Sequence, residues 1–222
     1  MLKKLIAVLT LALVLTGCAA PAAAPVEEAK TDEQLMAEGW VKNPQDQGYV
    51  LLSELPAPRE TAGDFSMEGS SINSTNLDQY LGRSDVAYID LRDYNDYAKK
   101  HFKNFEVLPF FAYIWNENAH TDETMVQLYG GPQEDPVAVY DVSDALLSTM
   151  FPKDKTLFLV CQSGGRVAMM MRILEAKGYD MDKVYNVGGM AQYTDSKYRN
   201  LITDTPEFII DVTYTVEGAV RN

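Results

Sequence analysis

The sequence predicts an α/β fold in which a mostly parallel central sheet carries helices on both of its faces. Two observations lead to this prediction. Short apolar runs alternate with segments of helical periodicity between residues 76 and 195, and the apolar runs are bounded by polar or glycine-containing turns. Strands that alternate with helices at this spacing usually form a parallel sheet, because each helix carries the chain back across the sheet.

Four helices and four strands account for this alternation. The helices are expected at 76–82, 94–100, 143–150 and 167–177, and the strands at 86–90, 106–110, 156–160 and 183–187. Asn76 and Ser143 are residue types that cap helix N-termini, whereas Gly82 and Gly178 are suited to ending a helix. A further strand-like stretch, 207–215, lies in the C-terminal tail.

The N-terminal residues have the pattern of a secretion signal. Lys3 and Lys4 precede the apolar run 5–15, which is shorter than the about 20 residues of a transmembrane helix. The run leads into the sequence LTGC, which resembles a bacterial lipobox ending at Cys18. We therefore predict a lipoprotein signal peptide over 1–17 and acylation of Cys18, for example by palmitate. The alternative is an ordinary secretory signal with an incidental cysteine.

The segments that follow define the expected organisation of the mature chain. A flexible tether rich in Ala, Pro and Glu is expected over 18–35. An N-terminal extension (36–75), a core domain (76–195) with an insertion at about 112–141, and a C-terminal extension (196–222) complete it. An acylated Cys18 would anchor the protein in the cell membrane on its extracytoplasmic face, which is either the outer surface or the periplasm.

The charge and the cysteine count exclude several classes of function. The chain has 32 acidic and 19 basic residues and a net charge of −13, and a body this acidic is repelled by nucleic acid. With Cys18 acylated, Cys161 is the one remaining thiol, so no disulfide can form within the chain. Two histidines and one thiol are too few for a typical zinc site, and we predict neither a metal nor another cofactor.

The most informative stretch of the sequence runs from Cys161 to Arg166. It follows the predicted strand 156–160 and precedes the predicted helix 167–177. Free backbone N–H groups at a helix N-terminus, the helix dipole and an arginine all favour negative charge on a sulfur atom placed there. We expect Gly164 and Gly165 to permit positive φ and a close approach of the backbone.

Several segments together resemble the rhodanese-like domain family. The resemblance covers roughly 76–193, so that the core domain 76–195 is expected to be a rhodanese-like domain. It rests on Asp90-Leu91-Arg92, Asp96-Tyr97, His101-Phe102, the loop from Cys161 to Arg166, Gly178-Tyr179 and the stretch from Val184 to Met190.

The resemblance implies a sulfurtransferase that carries sulfane sulfur as a persulfide on Cys161. The persulfide and the substrate would be bound by the remaining loop residues, Gln162, Ser163, Gly164, Gly165 and Arg166. The expected partners are a small sulfane-sulfur donor and a thiol or cyanide-like acceptor. Gln162 replaces the arginine that is frequent after the family's cysteine, and the body is acidic, so thiosulfate is expected to be a weak donor.

Three further residues of the motif are expected to be structural. Asp90 and Arg92 lie at a strand end and favour an internal salt bridge over a catalytic role. His101 favours a structural hydrogen bond over acid or base chemistry.

Two alternative functions remain open in the sequence. The lipid anchor, the extensions and the insertion would also suit a non-catalytic binding module built on the same fold. A cysteine-dependent phosphatase is disfavoured, because such enzymes place five residues between cysteine and arginine, whereas here only four separate Cys161 from Arg166.

Overall fold

The computed structural model describes residues 30–42, 49–51, 55–204 and 215–222. The helices in these ranges are α1 (Asp32–Ala37), α2 (Tyr94–Lys99), α3 (Ser143–Met150) and α4 (Gly165–Ala176). The strands are β1 (Trp40–Lys42), β2 (Tyr49–Leu51), β3 (Val86–Asp90), β4 (Lys100–Phe102), β5 (Glu106–Val107), β6 (Tyr129–Gly130), β7 (Val137–Ala138), β8 (Thr156–Cys161), β9 (Val184–Gly189) and β10 (Ile202–Asp204). Short 3₁₀ turns connect several of them.

A four-stranded parallel sheet in the order β5-β3-β8-β9 forms the centre of the fold. This confirms the predicted α/β class with a mostly parallel sheet. Asp90 at the end of β3 is in register with Val160 of β8, and Cys161 is in register with Gly189 of β9. The carboxyl ends of three strands therefore meet around Cys161.

Successive residues of β8 enter two separate hydrophobic cores. Leu157 and Leu159 pack in the core beneath α3, α4 and the insertion, whereas Phe158 and Val160 pack in the core on the opposite face. The second core is covered mainly by 3₁₀ turns and aromatic side chains, including Tyr198. Because a strand points alternate side chains to opposite faces, an unbroken apolar strand indicates that both faces are covered.

The predicted helices 94–100 and 167–177 and the predicted strand 183–187 are shifted by one or two residues at their ends relative to α2, α4 and β9. Three other predictions differ more. The helix expected at 76–82 is only a 3₁₀ turn, Leu77–Gln79, and the side chain of Asn76 does not cap it. The strand expected at 106–110 ends at Val107, and a wide turn follows in which the Trp115 N–H donates to the Phe110 carbonyl. Ser143 is the first residue of α3 and not its cap, since its hydroxyl donates to the Leu128 carbonyl instead.

The insertion and the C-terminal residues are held together by Arg221. Its guanidinium donates to the carbonyls of Ala119, Asp122 and Met125, and it lies 5.8 Å from the ring centre of Tyr140. Backbone hydrogen bonds from Asp141 to Val220 and from Asn222 to Val139 extend the contact. Within the described residues, this end of the C-terminal extension is thus part of the folded body.

At the N-terminus, α1 begins inside the segment predicted as a tether. The Thr31 hydroxyl accepts a hydrogen bond from the Gln34 N–H, and the Gln34 side chain accepts one from the Thr31 N–H. This capping box starts a helix at Asp32, so the flexible tether expected over 18–35 is too long at its C-terminal end.

Several predictions lie outside the described residues. They are the signal peptide 1–17, the acylation site Cys18, the tether up to residue 29, and all of the strand-like stretch 207–215 except Thr215. In the part of the chain that the structure does describe, no helix has both the length and the apolar character needed to cross a bilayer.

Candidate functional site

Cys161 is the last residue of β8 and lies at the carboxyl edge of the sheet. The pairing of β8 with β9 shifts register between Leu159 and Cys161. Cys161 is 1% exposed and belongs to the core that contains the insertion and α4. Ligands of open α/β sheets bind outside the carboxyl ends of the strands, so this position agrees with that of a reactive group.

The loop after Cys161 directs a backbone donor at the sulfur. The Gly164 N–H donates to the Cys161 Sγ over 3.1 Å. Gly164 reaches this orientation with φ +82°, in the left-handed region that favours glycine. The helix α4 begins at the next residue and runs for 12 residues, so the positive end of its dipole faces the loop.

The expectation of positive φ is wrong for the neighbouring glycine. Gly165 is the first residue of α4, and its φ is not positive. A Cβ atom built there would meet nothing within 4 Å. The close backbone approach occurs instead at Gly189, where a Cβ atom would lie 2.2 Å from the Gln162 carbonyl oxygen.

Asn186 braces the loop from the middle of β9. Its Nδ2 donates to the Gly164 carbonyl over 3.2 Å and to the Phe65 carbonyl over 2.8 Å, while its Oδ1 accepts from the Gly188 N–H over 3.1 Å. The side chain is 2% exposed. Asn186 is missing from the site residues predicted above, although a polar residue between Val184 and Val187 in an apolar strand was an available signal.

The N-terminal extension contributes a second group of contacts that the sequence did not indicate. The Arg59 guanidinium donates to the carbonyls of Met181 and Val184 and lies 5.3 Å from the ring centre of Phe65. Burial lowers the pKa of Arg59. These contacts place Met67 over the loop, where its side chain would lie 3.0 Å from a Cβ atom on Gly164. The extension therefore covers one side of the Cys161 loop.

Asp90 and Arg92 form a buried ion pair beside the loop. Arg92 donates to both carboxylate oxygens of Asp90, with a shortest distance of 2.6 Å, and its remaining donors reach the carbonyls of Asp96 and Lys100. Burial raises the pKa of Asp90, and Arg92 opposes that rise. The pair thus ties the end of β3 to α2 and to the start of β4.

His101 lies in β4, which pairs with β10 and not with the central sheet. Its Nδ1 is 2.7 Å from the Tyr97 carbonyl oxygen, and its ring stacks on the Tyr97 ring at 3.9 Å between centroids. Burial raises the pKa of Tyr97. These contacts orient His101 towards α2.

Arg166 extends from the first turn of α4 towards the β3–α2 connection. Its Nη1 lies 3.8 Å from a carboxylate oxygen of Asp93 and has no hydrogen-bond partner. The guanidinium carbon is 5.6 Å from the ring centre of Phe111. Arg166 thus carries a partly covered positive charge near the loop.

Two cavities lie near these elements. One, of 260 Å³, is bordered by Gln162, Met190, Ala191, Asp96 and the basic residues Arg92, Lys99 and Lys100. The other, of 400 Å³, is mainly apolar and lies between the insertion, α3 and Thr215–Ala219. Of the loop from Cys161 to Arg166, Gln162 borders the smaller cavity and no residue borders the larger one.

We expect Asn186→Ala to destabilise the fold by about 1–3 kcal/mol, because Phe65 and Gly188 lose the hydrogen bonds that hold the extension and the end of β9. The midpoint of urea unfolding measures this loss. Asn104→Ala, at an exposed position, is the matched control. Equal midpoints for the two variants would contradict the bracing role of Asn186.

Within the described ranges, no three His, Cys, Asp or Glu side chains are grouped so that they could hold a metal ion. Cys161 is the free cysteine of those ranges.

Comparison with known proteins adds to this geometry. The model of the family described as the rhodanese-like domain matches residues 74–196. No curated protein matches the chain significantly.

The chain is also similar to solved structures. A rhodanese from E. coli, determined with anions, has 16% identity and a TM-score of 0.32, over 54% of this chain and 99% of its own. A rhodanese-like domain protein from Staphylococcus aureus has 23% identity and a TM-score of 0.35, over 56% of this chain and 91% of its own. A Staphylococcus saprophyticus protein has 22% identity and a TM-score of 0.36, over 57% and 94%.

Proposed function

Because the chain belongs to the family of rhodanese-like domain proteins, we propose that it is a sulfurtransferase that carries sulfane sulfur as a persulfide on Cys161. One observation carries the proposal: the Gly164 N–H donates to the Cys161 Sγ over 3.1 Å. A fixed backbone donor at the N-terminus of a helix stabilises negative charge on sulfur without having to reorganise. The same donor would hold the terminal sulfur of a persulfide or its precursor thiolate.

In the first half-reaction, the Cys161 thiolate attacks the outer sulfur of the donor. A sulfur–sulfur bond forms at Cys161, and the bond between the two sulfur atoms of the donor breaks. The leaving group keeps the electron pair of that bond, which makes sulfite from thiosulfate or a sulfinate from an organic thiosulfonate. The negative charge on the transferred sulfur stays next to the N-terminus of α4.

In the second half-reaction, a thiolate or cyanide-like acceptor attacks the terminal sulfur of the persulfide. The new bond joins that sulfur to the acceptor, and Cys161 recovers its electron pair as a thiolate. With Cys18 acylated, Cys161 is the one remaining thiol of the sequence, so the acceptor must come from another molecule. The protein is then a carrier between two partners and returns to its starting state without an external reductant.

We place this activity on the extracytoplasmic side of a membrane. The N-terminal sequence LTGC supports acylation of Cys18, and two or more acyl chains would anchor the protein stably. Labelling cells with a palmitate analogue and comparing the chain with Cys18→Ser tests this placement. Loss of label in the variant is the expected result, and label that persists would contradict it.

Sulfur loading tests the sulfurtransferase itself. The full chain is incubated with thiosulfate, polysulfide or an organic thiosulfonate, and peptides are measured by mass spectrometry under non-reducing conditions. The peptide that contains Cys161 is expected to gain one sulfur atom and to lose it again when cyanide is added. The absence of loading from every donor would contradict the proposed function.

A second candidate is a non-catalytic binding module, and the burial of Cys161 favours it. A thiol that is 1% exposed offers a substrate almost no surface to contact. This candidate predicts that the protein keeps its cellular role when Cys161 is replaced by serine. Loss of that role in the variant would count against it.

A further inference from the structure

Arg166 is the cation of the loop, but its charge is already partly neutralised. The Asp93 carboxylate lies 3.8 Å from its Nη1, which is too long for a good hydrogen bond but within the distance of an ion pair. Asp93 is the N-terminal cap residue of α2, yet its side chain does not form the capping hydrogen bond. The carboxylate is therefore not committed to the end of the helix, and it compensates the charge of Arg166.

An aromatic ring covers the other side of the same guanidinium. The Phe111 ring centre is 5.6 Å from the guanidinium carbon of Arg166, and the side chain is 41% exposed. Phe111 lies in the wide turn Phe110–Ile114, and its carbonyl accepts a hydrogen bond from Gln127 over 2.7 Å. The ring is thus an apolar surface held in position next to solvent.

Backbone hydrogen bonds connect this turn to the reactive edge. The Phe110 N–H donates to the Leu91 carbonyl, and the Leu91 N–H donates to the carbonyl of Val160, the residue before Cys161. Phe110 also shares a buried core with Cys161. The ring of Phe111 and the ion pair of Arg166 therefore lie at the same edge of the sheet as the thiol.

We propose that Asp93 and Phe111 select the sulfur donor, so that the Cys161 loop prefers a monoanionic organic thiosulfonate with an apolar group to the dianion thiosulfate. This inference rests on the proposed sulfurtransferase function. The single negative charge of a thiosulfonate matches Arg166, whose own charge Asp93 partly neutralises. The exposed ring of Phe111 provides a surface for the apolar group of the donor. The second charge of thiosulfate would meet the Asp93 carboxylate and the acidic body of the protein, whose net charge is −13.

The transfer itself is unchanged in form. The Cys161 thiolate attacks the sulfane sulfur of the thiosulfonate, a bond forms between these two sulfur atoms, and the bond to the sulfonyl sulfur breaks. An organic sulfinate leaves with that electron pair. Two negative charges enter the reaction and two leave it, one on the persulfide and one on the sulfinate.

Three donors separate charge from apolar contact. Thiosulfate has two charges, methanethiosulfonate has one charge and a methyl group, and benzenethiosulfonate has one charge and a ring. The second-order rate constant of Cys161 loading is measured for each. The unaltered chain is expected to prefer benzenethiosulfonate to methanethiosulfonate, and methanethiosulfonate to thiosulfate, by about tenfold at each step.

Variants then assign each preference to a side chain. Phe111→Ala is expected to remove the preference for benzenethiosulfonate over methanethiosulfonate, and Phe111→Tyr to retain it. Asp93→Asn is expected to raise the thiosulfate constant about tenfold relative to methanethiosulfonate. Glu134→Gln is the control, because Glu134 pairs with Arg172, another arginine of α4, at 3.4 Å; it should change neither ratio.

The outcomes distinguish the two proposals. The proposed selectivity would be overturned if Cys161 loads fastest from thiosulfate. It would also be overturned if Asp93→Asn and Phe111→Ala leave the ratios of the loading rate constants unchanged. Both results would leave the proposed sulfurtransferase function intact. Loading from none of the three donors would overturn both. A shift of the thiosulfate ratio in Glu134→Gln equal to that in Asp93→Asn would show a general charge effect and would also overturn the assignment to Asp93.

Discussion

Replacing Cys161 with serine is expected to abolish sulfur loading and to lower the rate of sulfur transfer by roughly three orders of magnitude or more. The hydroxyl stays protonated at neutral pH and is a poor nucleophile towards sulfur, because nothing in the loop is placed to remove its proton. The fold should tolerate the change, since serine is nearly isosteric and the Gly164 N–H can donate to its oxygen. Peptide mass spectrometry after incubation with each donor measures the effect.

The chain provides its own control for this experiment. Cys18→Ser removes the other cysteine of the sequence, and it is expected to leave loading at Cys161 unchanged in the purified protein. If loading persists in Cys161→Ser, or disappears in Cys18→Ser, then a residue other than Cys161 carries the sulfur. Either result would contradict the persulfide mechanism.

The core of the site could be predicted from sequence because its determinants are local. The predicted strand 86–90 agrees with β3, and the predicted strand 156–160 falls one residue short of β8. An apolar run, a glycine-containing loop and a segment with apolar residues at helical spacing follow one another between Thr156 and Ala176. Consecutive residues therefore encode the whole strand–loop–helix unit. The position of Cys161 at the carboxyl edge of the sheet followed from that order.

The residues that surround the loop could not be predicted, because they come from distant parts of the chain. Asn186 joins the loop to Phe65, which is 121 residues away in sequence. Met67 and Asp93 approach the loop only because the extension docks on β9 and α2 follows β3. The sequence neighbours of Met67 show no periodicity or motif that would indicate such a contact, and the motif Asp90-Leu91-Arg92 before Asp93 does not indicate its approach to Arg166.

These distant contacts change how the N-terminal extension is understood. Residues 55–73 precede the match to the family model, which begins at residue 74. Nevertheless Phe65 and Met67 touch Asn186 and Gly164 directly. The loop is thus braced by β9 on one side and by the extension on another, and a shortened chain that kept only the family match would leave the Gly164 side of the loop uncovered.

The second large effect is expected at Gly189, the register partner of Cys161 in β9. A Cβ atom at this position would lie 2.2 Å from the Gln162 carbonyl oxygen and 2.5 Å from the Ser163 Cα. Both are backbone atoms of the loop, so no side chain can rotate away to make room. Gly189→Ala must therefore displace the loop, the strand or both.

A displaced loop moves the Gly164 donor away from the sulfur. We expect Gly189→Ala to slow sulfur loading about a hundredfold, since misplacement by about 1 Å is sufficient for such a loss. Overpacking is expected to reduce the free energy of unfolding by about 1–3 kcal/mol. Rates of Cys161 loading and urea unfolding curves measure the two effects separately.

Gly165→Ala is the matched control, because it adds the same methyl group to a glycine of the loop that Gly189 contacts. A Cβ atom on Gly165 meets nothing within 4 Å, and the residue already has helical backbone as the first residue of α4. Loading should stay within about twofold of the unaltered rate, and stability should rise by about 0.4–1 kcal/mol because alanine has less freedom in the unfolded chain. If Gly189→Ala loads sulfur as fast as Gly165→Ala, then the tight contact between β9 and the loop does not position Cys161, and the geometry on which the proposed transfer depends would have to be assigned to Asn186 and Met67 instead.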